Sequence, residues 1–316
     1  MNRSASRAQQ NIWESCTEMN ASLVQSLFDG PLDIVGDVHG EIAPLRTLLQ
    51  RLGYADDGSH AEGRRLVFVG DLTDRGPDSP AVVELIQRFV AAGRAQSVLG
   101  NHDFNLLLDH RKHDNGWFYG KEVTEGGQIV PQVLADETVQ QRVLSFFRTL
   151  PIALERDDLR IVHACWNDEM IALARDSADV VDLYNHHHGL IEESFPGLDL
   201  DDIDQGLMHQ NDNPVKRLTS GPEERVAQPI VTSGKTRFGR RVQWWNEYQG
   251  TFCVFGHYAI PYGQPRGSES TFCVDYGVGK RWTERREGTA RNFTLKLAAL
   301  RWPERLVVFD EHSCSS

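Results

Sequence analysis

Three short segments hold residues able to bind a metal and move a proton: Gly36-Asp37-Val38-His39-Gly40, Gly70-Asp71-Leu72-Thr73-Asp74-Arg75-Gly76 and Gly100-Asn101-His102-Asp103. Each follows an apolar run, at Leu32–Val35, Leu66–Val69 and Ser97–Leu99. Such runs, short, β-branched and ended by Gly, are expected to be buried strands. Polar residues at the carboxyl ends of neighbouring strands lie where α/β sheets hold their ligands. Asp37 and His39 are two apart, so on extended chain they face the same way. Asp71 and Asn101 end the next two strands. His163 lies in a fourth run, Arg160–Cys165, and His257 follows Val254-Phe255-Gly256. The six residues offer two carboxylates, one amide and three imidazoles. That is more than one tetrahedral zinc takes. It suits two adjacent divalent ions, with Asp71 as the bridge; ions about 3.5–4 Å apart hold a phosphoryl group and deprotonate a shared water. Mixed Asp, Asn and His ligands suit manganese, iron or zinc. Taken singly, each Asp reads as a turn former, each His as a core residue and Asn101 as an ordinary turn residue. Their repetition after successive strands is what favours a joint site.

The elements that must position these residues follow a strand–loop–helix rhythm from Leu32 onward. Leu45, Leu48, Leu49 and Leu52 form a helical stripe that Gly53 stops. A second helix is expected from Ser79, as its cap, and Pro80 through Val82, Leu85, Ile86 and Phe89 to Gly93. A third is expected around Thr138–Arg148, before Pro151. The last quarter returns to strands at Thr251–Phe255, Thr271–Asp275, Leu297–Arg301 and Leu306–Phe309, without long helices between them. A mixed or antiparallel sheet is expected there. Residues 1–30 read as a leader, with one helix around Ile12–Phe28. Residues 31–312 read as a single domain, with an inserted cap or surface segment at about 167–240.

Composition narrows the class. The 316 residues are 40% hydrophobic and 25% charged, as expected of a water-soluble globular protein. A net charge of −12, from 33 basic and 45 acidic residues, argues against a duplex nucleic-acid surface. It leaves room for a small anionic substrate beside bound cations. The five cysteines, Cys16, Cys165, Cys253, Cys273 and Cys314, are scattered and fit a reducing compartment. No run approaches membrane-spanning or signal-peptide length, so a cytoplasmic protein without a membrane partner is expected.

The three blocks, with Val162-His163-Ala164 and Phe255-Gly256-His257, resemble the signature blocks of the calcineurin-like metallophosphoesterases, and within them the phosphoprotein-phosphatase branch. The resemblance spans about Leu32 to Phe309, with no signature block in 167–240. It implies an α/β fold with a mixed β-sheet sandwich flanked by helices. It also implies that Asp37 and His39 hold a first metal, that Asp71 bridges, and that Asn101, His163 and His257 complete a second. His102 is similar in position to the family's general acid, with Asp74 orienting its imidazole and raising its pKa. Arg75 would grip phosphate oxygens. The bland alternatives are that His102 caps a helix starting at Phe104 and that Arg75 pairs with a surface acid.

Departures from the eukaryotic protein-phosphatase pattern are Asp103 ending the third block, Ala-Cys-Trp after His163, and Cys273-Val274-Asp275-Tyr276-Gly277. These look more like bacterial members, including diadenosine-tetraphosphate hydrolases and the phosphatase module of polynucleotide kinase–phosphatases. Asp275 reads either as a support for a metal-ligating His or as a turn residue. Arg241 is a second candidate phosphate clamp, with Arg237 and Arg240 competing for the role. His186-His187-His188 reads as a solvated loop, because adjacent residues do not share a face. Trp244, Trp245 and Tyr248 either stack on a base or pack the insert. The expected activity is dimetal-dependent hydrolysis of phosphomonoesters by a metal-bridging hydroxide, with phosphoserine or phosphothreonine proteins as one substrate class. Dinucleoside polyphosphate hydrolysis is the alternative, and an inactive scaffold on the same fold is the alternative of another class.

Overall fold

Residues along each central strand alternate between two cores, and this alternation sets the architecture. A computed structural model of the chain describes residues 22–232 and 235–311. In one sheet β2 (Leu32–Val35), β3 (Arg65–Phe68) and β4 (Ala95–Ser97) run parallel, while β13 (Ala298–Trp302) pairs antiparallel with β2 and with β14 (Leu306–Phe309). The second sheet has the order β1 (Val24–Ser26), β7 (Ala153–Arg156), β8 (Leu159–Val162), β11 (Cys253–Phe255), β12 (Thr271–Cys273). Its β7–β8 pair is antiparallel and the remaining pairs are parallel. Leu32, Ile34 and Val67 of the first sheet meet Leu154, Leu159, Ile161 and Val254 of the second in one apolar layer. The intervening Val35, Leu66, Phe68, Val162 and Phe255 face a second core with the helices. Period-two burial on both faces makes a sandwich covered by helices, the expected mixed α/β class.

Helix α1 (Ile42–Leu52) buries Leu45, Leu48, Leu49 and Leu52, and Gly53 ends it in the left-handed region, as its pattern predicts. Helix α2 (Ser79–Ala91) is capped by Asp78, whose carboxylate accepts from the Ala81 amide at 2.9 Å, and not by Ser79. The Ser79 hydroxyl is occupied elsewhere, accepting from the Asp74 amide at 3.0 Å. Strand β4 ends two residues earlier than its apolar run suggests, and α3 starts at Asn101 instead of Phe104 (Asn101–Leu107). Asn101 and His102 therefore stand in the first turn of a helix and not on a strand. A short hairpin, β5 (Val123–Glu125) and β6 (Gln128–Val130), precedes α4 (Glu137–Phe147), which Asp136 caps.

Among the described residues the leader helix and the looped His triplet are not found, and the 167–240 segment holds helices together with an unexpected ribbon. The segment read as helix up to Phe28 contains the edge strand β1, which pairs with β7 from Val24 opposite Ala153; residues 12–21 lie outside the described residues. A three-residue edge strand is too short to display a period. Between 167 and 240 lie α5 (Asp168–Arg175), α6 (Val180–Ser194), α7 (Asp202–Asp212) and α8 (Pro214–Ser220), followed by an antiparallel ribbon, β9 (Glu223–Thr232) and β10 (Lys235–Arg241). The ribbon escapes a sequence reading because it has no second sheet to bury against, so its charged residues show no apolar alternation. The triplet His186-His187-His188 lies inside α6, not in a loop. Trp244 and Trp245 are buried against Phe255, which favours the packing reading.

Candidate active site

The loops after β2, β3, β8 and β11 and the first turn of α3 converge at one end of the sandwich. Close approach there depends on glycine. A Cβ on Gly70, which has φ +95°, would lie 2.6 Å from the Gly100 nitrogen. One on Gly256 would collide with the Asp37 carboxylate. His39, Asp71, Asp74, Arg75 and His257 all have positive φ, from 48° to 74°. Non-glycine residues held in this region cluster at functional sites, where the surrounding structure over-determines them.

The six expected ligands meet. His39 Nδ1 donates to the Thr73 carbonyl at 3.0 Å, turning Nε2 toward Asp71 Oδ2 at 3.6 Å and Asp37 Oδ2 at 3.9 Å. His163 Nδ1 donates to the Val69 carbonyl at 2.7 Å and presents Nε2 to Asp71 Oδ2 at 3.3 Å. Asn101 Oδ1 lies 3.2 Å from His163 Nε2 and accepts from His257 Nδ1 at 2.8 Å. One ligand atom from each of Asp71, His163 and His257 falls within 4.8 Å of the others, and the same holds for His39, Asp71 and His102. Asp71 belongs to both groups, as a bridge must. Backbone carbonyls fix the tautomers, as is usual for metal-binding imidazoles.

Electrostatics supports cations here. Burial, then the charges of Asp275 and Asp71, push the Asp37 carboxyl well up. Burial also works against Asp71, but the imidazoles of His163, His102 and His39 outweigh it and hold that carboxyl low. Burial lowers His39 and His257. His257 Nε2 is buried with no hydrogen-bond partner. Hard and borderline donors, crowded carboxylates and an orphaned imidazole nitrogen together fit divalent cations.

Three further residues surround the cluster as expected. His102 Nδ1 donates to Asp74 Oδ2 at 2.7 Å, and its Nε2 accepts from Arg75 Nη2 at 2.8 Å. Burial and Arg75 pull this imidazole down, yet Asp71 and Asp74 leave it raised. His102 is thus no helix cap, and Arg75, although it pairs with the partly exposed Asp114, also reaches into the cluster. Arg75 also donates from Nη1 to His39 Nε2 at 3.0 Å.

Several participants escaped the sequence reading. Asp114 accepts from Arg75 Nε at 3.0 Å, and Trp117 donates to Asp74 Oδ1 at 2.7 Å. Asp103, noted only as a departure, accepts from the amides of Leu72, Thr73 and Gly100 and from the Thr73 hydroxyl. It ties two ligand loops together, and burial lifts its carboxyl to about 7. Asp275 bonds no imidazole: it accepts from the amides of Ala259 at 2.5 Å and Gly277 at 2.7 Å, so it reaches His257 only through backbone. Its carboxylate is consumed by the turn it closes.

Two adjoining cavities lie beside the cluster. One, of about 570 Å³, is lined by Arg75, His113, Val123, Gln132, Lys280 and Trp282. The other, of about 330 Å³, is lined by Arg240, Arg241, Ile230, Glu223 and His257. Arg75, Arg237 and Lys280 border both. Arg241 is exposed and donates to the His257 carbonyl at 3.2 Å, whereas Arg240 is held by Glu224 at 2.5 Å. Lys280 was missed because one lysine after a glycine carries no signal until the fold brings it beside Arg75.

A family model described as calcineurin-like phosphoesterase matches residues 30–261. The chain is 31% identical to an asymmetrical bis(5'-nucleosyl)-tetraphosphatase PrpE of Oceanobacillus iheyensis, over 87% of this chain and 89% of that one. It is 28% identical to a protein of the same name from Anoxybacillus flavithermus, over 86% and 90%. A solved cold-active protein-tyrosine phosphatase from a psychrophilic Shewanella overlays with a TM-score of 0.45 at 17% identity, over 91% of this chain and 82% of that one. With its signature blocks gathered at one end of a two-sheet sandwich, the chain belongs to the calcineurin-like phosphoesterase family and is a metal-dependent phosphoric ester hydrolase.

Proposed function

We propose that the protein hydrolyses dinucleoside polyphosphates, using two divalent ions held by Asp37, His39, Asp71, Asn101, His163 and His257. The observation that carries this reading is the pair of adjoining cavities beside the ligand cluster, joined by Arg75, Arg237 and Lys280. A phosphate chain needs cationic groups along its length, and a nucleoside at each end needs a cavity of its own. The names of the similar bacterial proteins support the same substrate class. The phosphomonoester expectation, with phosphoserine or phosphothreonine proteins, asks for one cavity and leaves the other without a purpose.

Bound at these residues, the ions would supply Lewis acidity and a water acidified to near neutral pH. The chain's own groups do the rest. Arg75 and Lys280 neutralise charge that grows on the transferring phosphoryl oxygens. Committing His39 Nε2 to an ion costs its bond from Arg75 and frees one guanidinium edge for phosphate. Once Arg75 turns from His102 Nε2 to phosphate, that nitrogen is open to carry a proton, and His102, oriented by Asp74, gives it to the leaving oxygen. The O–P bond from water forms as the P–O bond to the leaving phosphate breaks. The free buried thiols of Cys165, Cys253 and Cys273 fit a reducing cytoplasm.

A substrate panel with added manganese tests the reading: diadenosine tetraphosphate, a phosphoserine peptide and para-nitrophenyl phosphate, with products resolved by chromatography. The nucleotide is expected to show the highest kcat/KM. Turnover of the phosphopeptide with the nucleotide left intact would sink the proposal. A metal-free protein inert after manganese is added would instead favour the scaffold alternative.

A further inference from the structure

Away from the catalytic cluster, a second group of metal-binding side chains joins two helices of the 167–240 segment. His188 and Glu192 stand four residues apart on one face of α6, and His209 lies on α7. His188 Nδ1 is 3.0 Å from His209 Nδ1, and Glu192 Oε1 is 3.3 Å from His188 Nε2. One ligand atom from each of the three lies within 4.8 Å of the others. The imidazole ring centres are 4.3 Å apart. Two nitrogens bound to one zinc-like ion at about 2.0–2.1 Å stand about 2.9–3.4 Å apart for right to tetrahedral angles. A neutral imidazole pair satisfies the same distance with one shared proton. That pair has no use for Glu192, which either backs the His188 ring or turns to complete the ligand set.

A second observation concerns α7, which has no buried residue along its eleven. Most helical stability in proteins comes from burying an apolar face, and α7 only half-buries Ile203, Leu207 and Met208. Polar contacts hold its other side: Arg225 of β9 pairs with Asp201 at 2.6 Å and Asp204 at 2.5 Å, and Asn211 bonds both backbone groups of Glu223. Toward α6 the imidazole pair links it, together with the Phe195 ring at the end of α6, 5.5 Å from that of His209. Burial, His188 and Lys216 all lower His209, which keeps it in the neutral form that ligates.

We propose that His188, His209 and Glu192 bind one divalent transition metal of the zinc class, which staples α6 to α7 and steadies the ribbon that carries Arg237 and Arg241. Imidazole with carboxylate suits zinc, nickel or copper better than magnesium or calcium. The site shares no residue with the catalytic cluster, and the ion takes no part in hydrolysis.

The test uses the full chain, stripped with chelator and titrated with zinc, reading bound equivalents by elemental mass spectrometry and melting temperature by scanning calorimetry. Wild type is expected to bind one equivalent more than His209→Ala or His188→Ala. Its zinc-dependent rise in melting temperature should exceed theirs, while His186→Ala should behave as wild type. Should the alanine variants fold poorly, wild type alone is treated with diethyl pyrocarbonate. Zinc is then expected to protect His188 and His209 but not His186, as mapped by peptide mass spectrometry. Equal equivalents in wild type and folded variants, or equal modification of the three histidines with and without zinc, would overturn the staple.

Discussion

At the scale of single residues, the site depends on Asp71 serving two groups at once and on His102 being held between Asp74 and Arg75. Asp71→Asn is expected to abolish hydrolysis and to lower metal content at both positions, measured together on one preparation. Truncating His102 to alanine removes a proton donor, so its cost depends on the leaving group. On an alkyl phosphate the loss is expected to be about 10²–10⁴-fold, and on a polyphosphate, whose leaving oxygen is far less basic, much smaller. Equal losses on both substrates would count against proton donation. Asp74 raises the His102 pKa, so Asp74→Asn lowers it. The alkaline limb of the kcat/KM profile, where the donor loses its proton, should then move to lower pH. An unmoved limb would assign Asp74 to Trp117 and the loop alone.

At the scale of elements, caps and glycines decide where the ligand loops end. Asp78, not Ser79, starts α2, and the freed Ser79 hydroxyl fixes the Asp74 amide. Asp78→Ala should therefore cost about 1 kcal/mol in urea unfolding, typical of a lost N-cap, with activity largely kept. The helices were legible because Leu45, Leu48, Leu49 and Leu52, or Val82, Ile86 and Phe89, repeat at helical spacing against a continuous core. Strand β1 and the β9–β10 ribbon were not, since one is three residues long and the other has a face with nothing to bury against. Asn101 was placed on a strand for a related reason: Val98 and Leu99 are fully buried, yet they belong to the turn into α3 and not to β4.

At the scale of the whole molecule, two cores share one set of strands, and buried ion pairs close the ends of the sheet. Asp33 on β2 is fully buried and accepts from Arg64 at 3.0 Å, Arg301 at 3.1 Å and Tyr54 at 2.9 Å. Arg64 is itself only 4% exposed. Removing one member of such a pair strands the other charge, so Asp33→Ala is expected to destabilise the fold by about 3–5 kcal/mol. Calorimetry checks this, and a loss below about 1 kcal/mol would mean that water reaches Arg64. Paired cavities and a cationic border are properties of this scale as well, for they join Arg75 from the β3 loop, Lys280 after β12 and Arg237 from the ribbon.

The sequence by itself marked the residues that gather in the candidate metal cluster and the phosphoesterase family they point to. Metal-binding residue types recur after apolar runs at spacings that local geometry alone can read. It also determined the α/β class, because helical and strand periods are short-range properties. Only the tertiary structure decided which residues serve those ligands. Asp103, Asp114 and Trp117 bond the β3 loop from 30 to 43 positions away, Lys280 lies across a cavity, and no local pattern marks them. The same holds for His188, read as part of a solvated loop, and for His209, which no local pattern marks; two helices bring them within 3.0 Å of each other. Contacts made by chain closure are invisible to spacing, since their cost and reward are set by the fold and not by neighbouring residues.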